Sequence, residues 1–157
     1  MRSYAQHAED IRIARALCER SDGFWVDVGA AHPRADSVTM LFAERGWRGV
    51  NIEPDPEAFA LLAAARPRDI NLNVACSDHA GEGTLYRSGI PDGWATLDTG
   101  VVDIVARDRN RALLPGRVRT MTLAQVWEEH VNASAQRGRD ARRMGAVSDG
   151  DWTPRCA

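Results

Sequence analysis

The chain has 157 residues, 44% hydrophobic and 27% charged, proportions that suit one globular domain and exclude a fibrous chain. Its 20 basic side chains, all Arg, stand against 22 acidic ones for a formal charge of −2, so there is no whole-chain electrostatic footprint for a nucleic-acid backbone. The longest apolar run, residues 58–65, is far short of the roughly 20 residues of a spanning helix, and the N-terminus lacks a signal-peptide core, so the expectation is a cytoplasmic protein with no membrane association.

Ser3 and Gln6 have capping-box spacing, and Tyr4, Ala8, Ile11, Ala14, Leu17 and Cys18 recur at helical intervals, which predicts a first helix over 4–20. Ser21-Asp22-Gly23 breaks it. Phe24–Val28 (FWVDV) is an aromatic and β-branched run of the kind that fills a buried strand, and it closes on Gly29. A second helix is expected from Asp36 or Ser37, with Val38, Leu41 and Phe42 inward and a stop at Gly46, and Trp47 packing just beyond. Residues 49–53 (GVNIE) read as a second strand. Asp55-Pro56-Glu57 then supplies a cap, a first-turn proline and an acid for a helix over 56–65, closed by Pro67.

Residues 70–76 (INLNVAC) read as a third strand, with 84–87 as a short antiparallel addition after the turn at 81–83. Three strands separated by helices imply parallel pairing, and right-handed crossovers put the helices on the sheet faces. Past Ser88 the pattern weakens until 117–121, an extended segment that leads into a second capping box, Thr122 to Gln125, and an amphipathic helix carrying Leu123, Val126, Trp127 and Val131. From Asn132 onward Arg, Ala, Gly, Ser and Asp dominate. The expected division is a folded part over 1–131 and a disordered tail over 132–157.

Asp27-Val28-Gly29-Ala30 puts an acid and a glycine at the carboxyl end of the first strand, just before a helix, where doubly wound sheets bind nucleotide-like ligands. Gly29 lets the backbone turn tightly and approach a ligand. Asp27 can hold an ammonium, and Glu53, ending the second strand, can accept both hydroxyls of a ribose. A ligand with an ammonium and a ribose points to S-adenosylmethionine. A dinucleotide fits less well: Gly29-Ala30-Ala31-His32 has a single glycine where the pyrophosphate fingerprint needs about three. The competing structural reading is a strand ending in a turn, with Asp27 solvated and Glu53 on the surface.

Several blocks stand in one order: Ser3-Tyr4-Ala5-Gln6 with Glu9-Asp10; FWVDVGAAHP from Phe24 to Pro33; Asp36-Ser37-Val38-Thr39; ERGWRGVNIEP from Glu44 to Pro54; and Asn73-Val74-Ala75-Cys76-Ser77-Asp78. Together they resemble the N-terminal half of an FkbM-type methyltransferase, over about residues 3–131. The resemblance implies a Rossmann-like class I fold and S-adenosylmethionine-dependent methyl transfer to oxygen, often that of a sugar. By position it assigns Asp27 and Gly29 to the methionine end of the donor, Glu53 to the ribose, and Ser77 with Asp78 to the adenine edge. After the helix at 122–131, family members resume with a fourth strand ending in a K-I-D-x-E-G pattern, and nothing here fits it. The expectation is an α/β chain with only the first three parallel strands, truncated or frame-shifted over its last 26 residues. In the order 3-2-1-4-5 the first strand then becomes a bare edge open to self-association.

His32 is a candidate general base for a hydroxyl acceptor, weighed against a loop histidine bonded to backbone. Glu9 and Asp10 fall where the resemblance places a family motif, and a solvated helix face competes. Cys18 and Cys76 read as buried small hydrophobes, and no His or Cys has metal spacing, so no metal is assigned. The function expected is O-methyl transfer to a small-molecule or glycan hydroxyl. The alternative is an inactive remnant that binds a nucleoside, or a partner through its sheet edge.

Overall fold

A computed structural model of the chain describes residues 2–90, 93–109 and 112–132. These fall into two compact units, Met1–Thr122 and a second that starts at Leu123. Apart from Asn132, the segment expected to be a disordered tail lies outside the described residues, as does Cys156.

The first helix, α1 (Glu9–Ala16), is shorter than the 4–20 expected, because the Ser3 capping box does not form. Ser3 Oγ donates instead to Asp10 Oδ1 (2.7 Å), and the Tyr4 N–H donates to Asp10 Oδ2 (2.8 Å). Asp10 is wholly buried and also accepts the Ile11 N–H. Burial alone would push its carboxyl up; the hydrogen bonds from Tyr4, Ser3 and Ile11 outweigh it and hold the group below the ordinary aspartate value. Residues 3–8 therefore fold back onto this carboxylate and do not extend the helix. Asp10→Ala strands those donors and should cost about 2 to 3 kcal/mol in urea denaturation at neutral pH. A depressed pKa gives stability that is present above the ordinary aspartate value and lost as pH falls through the depressed one, so the gap to wild type should narrow in acid.

β1 (Phe24–Val28), α2 (Met40–Glu44), β2 (Arg48–Ile52), α3 (Pro56–Ala65) and β3 (Ile70–Leu72) alternate along the chain. The strands form a parallel sheet in the order β1-β2-β3. Ala14, Trp25, Leu41, Phe42 and Trp47 form the core between α1, α2 and this sheet, with the Phe42 and Trp47 ring centroids 4.9 Å apart. Trp25 lies opposite Gly49 in the register. A Cβ on Gly49 would stand 2.4 Å from the indole, so glycine lets the ring cross β2 and donate from Nε1 to Asn51 Oδ1 (2.9 Å). α3 starts as its sequence predicts, with the Asp55 carboxylate accepting from the Glu57 and Ala58 amides.

Some expectations need correction. The apolar run of β1 reads as a buried strand, but among the described residues it pairs with β2 alone, the edge position also expected for it, and Phe24 and Val28 are 43% and 53% exposed. The third strand stops at Leu72, because Asn73 turns its amide onto the Glu53 and Pro54 carbonyls (2.8 and 3.1 Å). The chain then enters a second sheet, in which β4 (Ala75–Cys76) runs parallel to β6 (Leu114–Met121) and β5 (Gly81–Arg87) antiparallel to it. A further helix, α4 (Thr99–Arg109), follows Ser88 where no pattern was visible. Its β-branched Val101, Val102, Ile104 and Val105 are weak helix formers that hide it. Cys18 is exposed in the left-handed turn after α1 and Cys76 is half-buried, so neither is a core residue.

The second unit begins with α5 (Leu123–Val126), which widens into a π-helix over Trp127–Asn132. The wider turn aligns Val126 and Val131, both buried, while Leu123 and Trp127 are half exposed; an ordinary amphipathic helix would bury all four. Among the described residues no helix is long and apolar enough to cross a membrane.

Candidate functional site

The loop from the end of β1 to α2 walls a cleft of about 400 Å³ lined by Asp27 to His32, Ala35 to Val38, and Gly93. Its backbone is set against β2: the Gly29 and Ala30 amides both donate to the Ile52 carbonyl (2.9 and 3.1 Å). Gly29 has φ +75°, and two residues with side chains, Ala31 (φ 48°) and Asp36 (φ 56°), are also left-handed. Such backbone costs of order 1 kcal/mol or more per residue and persists where surrounding bonds enforce it.

Glu53 enforces part of it. Its carboxylate, 4% exposed, accepts the Ala31 N–H on Oε2 (2.7 Å) and the Asp55 N–H on Oε1 (2.8 Å). Burial raises its pKa, these two amides lower it, and the charges of Asp55 and Asp27 raise it again, for a net upward shift. Glu53 is thus no surface residue, which removes half of the competing structural reading. Each oxygen keeps one further acceptor position.

Asp27 is half-buried at the mouth of β1, and burial pushes its carboxyl up against the opposing pull of Thr39 and Arg66. Thr39 Oγ1 donates to Asp27 Oδ2 (2.9 Å), and Thr39 in turn accepts from Arg66 Nη1 (2.7 Å). Arg66, at the end of α3, also reaches the Pro33 carbonyl (2.6 Å) and Ser37 Oγ (2.8 Å) through Nη2. Ser37, Thr39 and Arg66 are all buried. Because Ser37 and Thr39 are held this way, α2 begins at Met40 and not at Asp36 or Ser37.

His32 Nδ1 accepts the Arg34 and Ala35 amides (3.1 and 2.8 Å), so its neutral ring carries the proton on Nε2. That is the loop-anchoring arrangement. Ser77 and Asp78 follow β4 and are not among the residues that line the cleft. Asp78 is exposed, and His79, then Ser77, bond to it and hold its carboxyl below the ordinary value. The structure therefore brings Asp27, Gly29 and His32 together at the cleft with Glu53 behind Ala31, and leaves Ser77 and Asp78 outside it. Sequence reasoning missed Arg66 altogether; Ser37 and Thr39 stood in one of the resembling blocks without a role. Among the described residues, no group of three His, Cys, Asp or Glu side chains could hold a metal ion.

The cleft lies outside the carboxyl ends of parallel strands, with an acid at the first strand's end and a glycine turn beside it, the position at which open α/β sheets place ligands. The family model described as the methyltransferase FkbM domain matches residues 27–135, and the chain belongs to that family. No curated protein and no solved structure matches it.

Proposed function

We propose that the chain is a Rossmann-like, S-adenosylmethionine-dependent methyltransferase whose acceptor is the hydroxyl of a small molecule or glycan. Membership of the FkbM family carries the methyl-transfer part of this reading. The donor part is supported by one observation, the convergence of Asp27, Gly29 and Glu53 on the loop that walls the cleft. The residues present fit the donor: a Cβ built on Gly29 meets no protein atom within 4 Å, so the space beside it is open to a ligand. Asp27 has Oδ1 available for an ammonium; Glu53, buried behind Ala31 with both oxygens on backbone amides, is assigned to the ribose by family position.

Bound S-adenosylmethionine supplies an electrophilic methyl on a sulfonium. The protein's contribution is then to hold the donor so that an acceptor oxygen stands about 3 to 3.5 Å from that carbon. Ser77 and Asp78 stay assigned to the adenine edge by family position alone. His32 serves as a loop anchor in this reading, since a neutral ring with Nδ1 engaged offers an acceptor hydroxyl only an N–H.

Calorimetric titration with S-adenosylhomocysteine tests the donor site. Wild type should bind, and Glu53→Ala should bind more than about tenfold more weakly, the equivalent of hydrogen bonds to a charged group. Equal affinities would remove Glu53 from the ribose site, and no binding by wild type would overturn the donor reading.

One observation favours a second reading, a nucleoside-binding chain without transferase activity that pairs along β1 with a second copy. Among the described residues β1 is an edge strand with exposed apolar ends, and such edges invite strand pairing. A monomer by light scattering that turns over donor and acceptor would exclude it.

A further inference from the structure

Thr39 occupies the N-cap position of α2, where a threonine ordinarily accepts a helix amide, yet its side chain makes no capping bond. Its hydroxyl, 6% exposed, lies instead between Arg66 Nη1 (2.7 Å) and Asp27 Oδ2 (2.9 Å). A guanidinium has only donors, and a hydroxyl has one proton. Arg66 therefore makes Thr39 an acceptor on one side, and the single Thr39 proton has to point at Asp27. The other arm of the guanidinium holds the Pro33 carbonyl and Ser37 Oγ, so one buried cation fixes both the loop and the hydroxyl.

We propose that Arg66 and Thr39 are positioning residues of the donor site: Arg66 orients the Thr39 hydroxyl onto Asp27 Oδ2, which turns Oδ1 toward the cleft as the acceptor for the ligand's ammonium. This rests on the donor reading above. The orientation also bears on charge. Asp27 must be ionised to hold an ammonium, and burial opposes that; the groups that face it are the Thr39 hydroxyl and Arg66, which favour the anion, and Glu53, whose charge disfavours it. Removing the hydroxyl should raise the pH at which Asp27 protonates, so ammonium binding is lost from a higher pH as the solution is acidified.

The test compares two probes. S-adenosylhomocysteine carries the ammonium, whereas 5′-methylthioadenosine keeps the ribose and adenine and lacks it. Thr39→Val should weaken S-adenosylhomocysteine about tenfold at neutral pH, the loss of a charge-assisted hydrogen bond, and leave methylthioadenosine within about twofold. Thr39→Ser should restore the first. Carbon-13 NMR titration of Asp27 without ligand should show its midpoint moved upward in Thr39→Val. If Thr39→Val does not fold, Arg66→Lys carries the comparison: it keeps the charge, but a single ammonium cannot span the three acceptors of the planar fork, so the same ligand-selective loss is expected. Equal weakening of both probes, or an unchanged Asp27 midpoint, would overturn the proposal. Failure of wild type to bind either probe would instead sink the donor reading on which it rests.

Discussion

Arg66→Met is expected to destabilise the fold by about 3 to 5 kcal/mol, the usual consequence of removing one partner from a buried charge network. The guanidinium is 6% exposed, serves Thr39, Ser37 and the Pro33 carbonyl, and stands 5.9 Å from the Trp25 ring centroid. Methionine replaces the aliphatic stem but none of the donors, so the Pro33 carbonyl and the Ser37 hydroxyl lose their partner and Asp27 loses its nearest offsetting charge. Part of the loss should depend on pH. Asp27 already has a raised pKa in the folded state, so stability falls as pH rises from the ordinary aspartate value through the folded one. Without Arg66 that window extends upward, and the variant should regain part of its deficit on mild acidification. Urea denaturation at neutral pH and again near the aspartate range measures both effects. A loss under about 1 kcal/mol would mean that the Arg66 network forms no part of the fold's support.

The parallel sheet was legible because its strands are marked twice, by apolar runs and by the punctuation around them. FWVDV ends on Gly29, and Asp55-Pro56 opens α3 where its chemistry predicts, since cap and first-turn proline act locally. Apart from α4, hidden by its β-branched residues, the boundary errors come from side chains engaged by partners outside their own element. Asp10 takes Ser3 away from the helix cap. Asn73 draws the chain out of the first sheet after Leu72, so INLNVAC, uniform as a pattern, becomes two strands in two sheets. The candidate site was legible as positions. Asp27, Gly29 and Glu53 could be placed at the strand ends because those ends are marked by the apolar runs before them. Arg66 could not: a lone arginine between an alanine-rich helix and Pro67 reads as a solvated end, and its burial depends on acceptors about 30 residues away in sequence.

Gly29→Val should reduce affinity for S-adenosylhomocysteine by more than about a hundredfold, against about tenfold for Gly29→Ala, by the roughly 1 to 3 kcal/mol that added bulk costs in a filled site. The two substitutions share one penalty. At φ +75° any L side chain is strained by about 1 to 2 kcal/mol, and the Gly29 and Ala30 amides, both bonded to the Ile52 carbonyl, keep the backbone from relaxing. They differ in what the side chain meets. A Cβ on Gly29 has no protein atom within 4 Å beyond its chain neighbours, and Gly29 borders the cleft, so valine's extra carbons take up space beside the cleft that alanine leaves open. Thermal unfolding without ligand should show both variants weakened, valine more so because a β-branched side chain tolerates left-handed backbone least. Binding should separate them much further than stability does. If the ratio of their affinities only tracks their relative stabilities, the space beside Gly29 is not where the donor passes. A ratio well beyond it locates the ligand against this glycine, since a Cβ there has open space in the chain itself.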